Sequence, residues 1–292
     1  MSEPATAPAP RRSLRQRVIS IIIVWGVFYL GVLVVLMLLE NALVFQPTSA
    51  ASAWAPPPAG VVVEDVWLLA ADGAKLHAWW FPQPGATGAL LYCHGNAGNL
   101  SFRGVPAAEL AQALGVSVLV FDYPGYGKSD GKPSEAACYA AADAAYAWLV
   151  EQQKIPGEQI ILYGKSLGGG VAADLALRHP HRALLLLKTF TSVPVMAQRQ
   201  FPFIPQWLVS NRFDTLSKIG RVPRPVVIAH GDRDTLIPLW MGEALFQAAP
   251  TPKRFFLLPD SGHNDLLPAP FLGDLRAFLD EVAPVAPSAA PH

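Results

Sequence analysis

Hydrophobic residues fall along this chain in three distinct patterns. Stretch 18–39 is unbroken: it carries no charge, and only Ser20 and Tyr29 are polar. As a helix it measures about 33 Å, enough to cross the hydrocarbon core of a bilayer. Next, 61–69 and Lys75–Phe81 flank Asp72-Gly73 and predict a β-hairpin. From Ala89 onward short apolar runs alternate with helical stretches. The runs are Ala89–Cys93, 116–121, 160–163, Ala183–Leu187, 225–229 and 254–258. Runs that are apolar on both faces and separated by helices predict a parallel sheet covered on both sides. Ser134-Glu135 caps a long alanine-rich helix ending near Gln153, and 271–282 reads as the last helix.

These patterns divide the chain. Residues 1–17 are a basic N-terminus, Ala/Pro-rich and disordered at its start, and 18–39 is a transmembrane anchor. Residues 40–60, with Pro56-Pro57-Pro58, read as a stiff spacer, and 61–282 as one α/β domain. Between Leu187 and Pro225 the alternation stops. The apolar stretch 201–208 there reads as part of a small lid, about 189–224, or as a cover for a sheet edge. Residues 283–292 are a loose Ala/Pro-rich tail. Arg11, Arg12, Arg15 and Arg17 precede the apolar stretch, whereas the next basic residue after it is Lys75. The positive-inside rule then places the N-terminus in the cytoplasm and the domain on the other side, whether periplasmic, extracellular or lumenal. A cleaved signal peptide is the competing reading. It would carry a shorter core and a small-x-small site directly after Leu39, where none is found; Ala51-Ser52-Ala53, well downstream, is a weak candidate. The balance favours an uncleaved anchor.

Composition narrows the function. Of 292 residues 52% are hydrophobic, ample for one large core. The 22 basic and 22 acidic residues cancel, and no basic stripe lies outside the extreme N-terminus, which argues against a nucleic-acid partner. Cys93 and Cys138 sit in an apolar run and an alanine-rich helix and read as buried free thiols. No pair of histidines has zinc-ligand spacing, so neither metal nor cofactor is expected.

The chemistry begins at Gly164-Lys165-Ser166-Leu167-Gly168. It follows the apolar run 160–163 and opens a helical pattern. Strand, sharp turn and helix with serine at the apex form a nucleophile elbow, in which glycines two residues to either side leave the turn room. A serine needs a base, and the base needs orienting. Two later strands run into suitable groups: one into His230-Gly231-Asp232-Arg233-Asp234, the other into Gly262-His263-Asn264-Asp265. Ligands gather at such carboxyl strand ends in open α/β sheets.

Together with Cys93-His94-Gly95-Asn96-Ala97-Gly98-Asn99 and the run 121–129, these motifs resemble the α/β-hydrolase fold. The likeness is strongest to its membrane-anchored Bem46-like serine hydrolases and their animal relatives. The resemblance implies a triad of Ser166 as nucleophile, His263 as base and Asp234 as the orienting acid, with Asp232 the alternative acid. It also implies an oxyanion hole made by the backbone N–H groups of Asn96 and Leu167. The expected activity is hydrolysis of an ester or thioester, with an acyl or lipid substrate favoured by the apolar lid. A peptidase of the same fold and a non-catalytic binding module are the alternatives. His94 and His230 read as loop-stabilising residues, Asp265 as a brace of the histidine loop, and Tyr123, Tyr126 and Lys128 as packing.

Overall fold

A computed structural model describes residues 13–284; the expectations for 1–12, Arg11 and Arg12 included, and for 285–292 lie outside these residues. The chain divides after Glu40 into two compact units. The first is most of one helix, α1 (Leu14–Val44), 31 residues long. It continues past both ends of the uncharged stretch and is exposed almost throughout. This is one helix long and apolar enough to cross a membrane.

The second unit holds the remaining elements in this order: β1 (Gln46–Pro47), β2 (Glu64–Leu69), β3 (Lys75–Phe81), β4 (Ala89–Cys93), β5 (Ala97–Gly98), α2 (Gly104–Leu114), β6 (Ser117–Phe121), α3 (Glu135–Glu151), β7 (Ile160–Lys165), α4 (Leu167–Arg178), β8 (Ala183–Leu187), α5 (Val193–Gln200), α6 (Thr215–Ile219), β9 (Val226–Gly231), α7 (Leu239–Ala248), β10 (Lys253–Leu258) and α8 (Ala269–Val282). The main sheet has eight strands in the order β10-β9-β8-β7-β4-β6-β3-β2. β2 and β3 are antiparallel to their neighbours; β4 and β6 to β10 run parallel.

The apolar runs become central strands because both their faces are covered. β4, β6 and β8 are buried at every position, whereas edge strand β2 alternates. Leu90, Tyr92, Val118, Val120, Ile161 and Tyr163 face α2 and α8 in one apolar cluster. Their alternates point the other way by the two-residue period of a strand, towards α3, α4, α6 and α7, which pack in succession. Ser134 Oγ accepts from the Ala137 N–H at the start of α3, as a cap should. The hairpin turns at Gly73, whose φ of 85° suits glycine.

Of residues 40–60, expected as a spacer, the part from Phe45 to Ala55 instead lies on the domain. Phe45 is 2% exposed and packs edge-on against Phe213, and β1 pairs in parallel with β5. Segment 189–224 has its own short helices, α5 and α6, capped by Ser192 and Asp214. The Glu135 carboxylate accepts from the Arg212 and Phe213 N–H groups and ties this segment to α3. Phe203 and Trp207 on it are 49% and 77% exposed.

Candidate active site

Ser166 stands between β7 and α4 with φ 54° and ψ −120°, a conformation that costs a non-glycine residue energy. Its surroundings enforce it. The Ser166 N–H donates to Leu187 O (3.0 Å), and its carbonyl accepts from the Gly169 N–H (2.9 Å) and from Thr189 Oγ1 (2.6 Å). The flanking glycines are obligatory for space. A Cβ on Gly164 would lie 2.4 Å from Gly168 O, and one on Gly168 would lie 2.0 Å from Cys93 O. The turn therefore presses the first residues of α4 against the end of β4. The N–H groups and dipole of the helix start then favour negative charge near Ser166.

Loop 94–99 leaves β4 and passes the serine. A Cβ built on Gly95 would lie 3.4 Å from Ser166 Cβ and 3.9 Å from its Oγ. The loop is held from behind. Tyr123 OH donates to His94 O (2.9 Å) and Tyr126 OH to Asn96 O (2.7 Å), both tyrosines being fully buried. His94 Nδ1 lies 2.7 Å from Gly95 O, within its own loop. Lys128 lies instead over the Trp54 ring.

The histidine and acid come from the next strand ends. His263 Nδ1 is 2.7 Å from Asp234 Oδ2. A carboxylate at that distance places the proton on Nδ1 and leaves Nε2 as the basic nitrogen. Asp234 Oδ1 also accepts from the Leu236 (3.0 Å) and Ile237 (2.8 Å) N–H groups. Burial acts to raise the Asp234 pKa, but the His263 and Ile237 hydrogen bonds, aided by the His263 and His230 charges, outweigh it and hold the carboxyl below its ordinary value. Asp232, the alternative acid, is exposed and accepts from the Ser261 N–H instead. Asp265 Oδ2 accepts from the Gly262 N–H and so braces the histidine loop. His230 Nε2 is bound to Ile237 O, a packing role.

Sequence reasoning missed two supports. Thr189 holds the elbow through the Ser166 carbonyl. Lys188 is fully buried, and its ammonium donates to Ser261 Oγ, Gly262 O and Asp265 O, all on the histidine loop. The only signal was a lysine closing an otherwise all-leucine run. Lys165, beside the nucleophile, is mostly buried; burial, with help from Arg103 and Lys188, lowers its pKa to about 8. Cys93 and Cys138 are buried free thiols.

Comparison with known proteins agrees with this architecture. The profile of a family described as alpha/beta hydrolase fold matches residues 88–215. An uncharacterized protein of Mycobacterium tuberculosis is 36% identical over 276 residues, covering 92% of this chain and 94% of that protein. Alpha/beta hydrolase domain-containing protein 17B of Xenopus tropicalis is 34% identical over 199 residues, 68% of each chain. Among solved structures, an esterase of Pyrococcus furiosus superposes with a TM-score of 0.65 at 20% identity, covering 82% of this chain and 98% of the esterase.

Proposed function

The chain belongs to the α/β-hydrolase family, and from that premise we propose that it is a membrane-anchored serine hydrolase of esters or thioesters. What supports the reading is the placement of its three groups after β7, β9 and β10, at the carboxyl ends of parallel strands of one sheet. A strained serine lies under loop 94–99, and a histidine–carboxylate pair stands on the two strands beyond β8.

In this mechanism Ser166 Oγ attacks the carbonyl carbon of the substrate while His263 Nε2 takes the hydroxyl proton. Asp234 holds the imidazole in the required tautomer and stabilises its protonated form. The oxyanion is received by the N–H groups of Leu167 and Asn96; each such donor contributes about 3–4 kcal/mol in the transition state. Collapse transfers the His263 proton to the leaving alcohol or thiol and leaves an acyl-enzyme. Water, deprotonated by His263, then attacks the acyl carbon, releasing the carboxylic acid and regenerating Ser166.

The helix α1 serves as the anchor, with the N-terminus in the cytoplasm and the catalytic domain outside it. Segment 189–224 serves as the lid. Its exposed Phe203 and Trp207 favour an acyl or lipid substrate over a polar one.

The test is a fluorophosphonate probe on native protein. Wild type should label and Ser166→Ala should not; equal labelling of both would assign the nucleophile elsewhere. A chain-length series of p-nitrophenyl esters reads the acyl preference, and activity confined to acetate would remove it.

A further inference from the structure

The residues that leave the apolar helix are bonded to the loop that passes the nucleophile. The Gln46 N–H donates to Asn96 O (3.1 Å), and the Thr48 N–H to Gly98 O (3.0 Å). Asn96 Nδ2 donates to Val44 O (3.1 Å). Asn99 Nδ2 donates to the carbonyls of both Thr48 (3.0 Å) and Ala53 (2.9 Å). The Gly127 N–H donates to Thr48 O (3.0 Å), and the Ala50 N–H to Gly127 O (2.8 Å). Farther on, the Ala55 N–H donates to Ser101 Oγ (3.0 Å). Buried Phe45 closes the near end.

We propose that residues 44–55 form a strap that positions the oxyanion-hole donor of Asn96, so that the exit of the membrane helix is part of the active site's scaffold. The inference rests on the reading of Asn96 as that donor. Its physical basis lies at the Asn96 Cα. The strap holds two of the groups on that carbon, the carbonyl through Gln46 and the side-chain amide through Val44. With both fixed, the tetrahedral carbon sets the direction of the Cα–N bond, and the N–H then lies in the peptide plane shared with Gly95, whose carbonyl meets His94 Nδ1 at 2.7 Å. Loop 94–99 contains Gly95 and Gly98, the latter at φ 83°, and has little stiffness of its own. Two residues of parallel pairing with β1 add to the hold of Tyr123 and Tyr126 on its carbonyls. A donor displaced by about 1 Å loses much of its effect on the transition state, a loss of roughly 100-fold in rate.

The test uses the full-length protein in detergent micelles with a p-nitrophenyl ester. Gln46→Pro deletes the N–H that Asn96 O accepts, and Asn96→Ala deletes the tether to Val44 while keeping the backbone N–H. Each should lower kcat by roughly 10–100-fold with KM changed less than about threefold. Affinity for a trifluoromethyl ketone, whose adduct places an oxyanion in the hole, should fall by the same factor as kcat/KM. Gln46→Ala, which keeps the N–H, should recover the activity that Gln46→Pro loses. The proposal is overturned if Asn96→Ala, or a folded Gln46→Pro, keeps both kcat and ketone affinity within threefold of wild type; if Gln46→Pro does not fold, Asn96→Ala decides. Ser166→Ala separates the two layers. If it still turns over, the reading of the active site falls and the strap with it. If it is inactive while the strap variants are normal, the strap alone falls.

Discussion

Lys188 Nζ lies 2.9 Å from Ser261 Oγ, two residues before His263. The ammonium also donates to the carbonyls of Gly262 and Asp265, so one buried cation gathers three neutral acceptors of a single loop. Burial lowers its pKa, and the charges of Asp265 and Asp234 partly offset that cost. Lys188→Met would leave these acceptors unsatisfied, each at about 1–3 kcal/mol. The expected result is a lower thermal midpoint and a fall in kcat exceeding about 10-fold, as the His263 loop loosens. Thermal unfolding read beside ester kinetics checks it; an unchanged midpoint would remove Lys188 from the support of this loop.

Asp234 is buried against His263 whereas Asp232 is exposed. Asp234→Asn should lower kcat by roughly 10³–10⁴-fold, since an amide offers the imidazole the wrong partner. Asp232→Asn should cost less than about 10-fold, because only the Ser261 N–H contact is altered. The reverse order would move the orienting role to Asp232. The same carboxyl carries a pH signature. Its folded-state pKa lies below the unfolded value, so its stabilisation is present above the ordinary carboxylate range and is lost as pH falls through the folded value. Wild type should therefore lose stability on acidification more steeply than Asp234→Asn, measurable by urea unfolding between neutral and acidic pH.

What the chain reveals by itself follows from how local each feature is. Strands β4, β6 and β8 are legible because burial on both faces leaves unbroken apolar runs. The elbow is legible because its glycine spacing reflects a local steric demand. Pairs such as Gln46↔Ala97 are not, because two-residue strands have no periodicity and their partner lies about fifty residues away. The proline-rich composition of 40–60 reads as a spacer, yet its backbone polar groups find partners on loop 94–99 and at Gly127. Beyond closing an apolar run, Lys188 carries no sequence signal of its role, because the groups it binds lie more than seventy residues away on the histidine loop. Composition and spacing alone do not tell Asp232 from Asp234; the resemblance favours Asp234, and the turn after β9 buries it against His263 while leaving Asp232 exposed.

Lys165 gives a prediction at the alkaline side. Its pKa of about 8 in the folded protein lies below the ordinary 10.5. Between those values the unfolded chain holds a proton that the folded chain has released, so stability should rise with pH across that window. Below it, the penalty of a buried ammonium is present in full. Lys165→Met should remove the rise and should be more stable than wild type near neutral pH. Denaturant midpoints at closely spaced pH from 7 to 10.5 check this; parallel curves for the two proteins would contradict it.

The last contrast sets two glycines against each other. A methyl group on Gly168 would meet Cys93 O at 2.0 Å, Cys93 C at 2.5 Å and His94 O at 2.7 Å, all of them backbone. Neither side can yield without moving β4 or α4, so Gly168→Ala should destabilise by several kcal/mol, about 3 or more, and disable the elbow. Gly273 lies on the exposed side of α8 with nothing within 4 Å of the same methyl position. There alanine removes only the backbone freedom of glycine in the unfolded chain and should stabilise by about 0.5–1 kcal/mol. Thermal unfolding of both variants reads the difference. Similar midpoints would mean that the close approach of α4 to β4 is not what fixes Ser166 in its strained conformation.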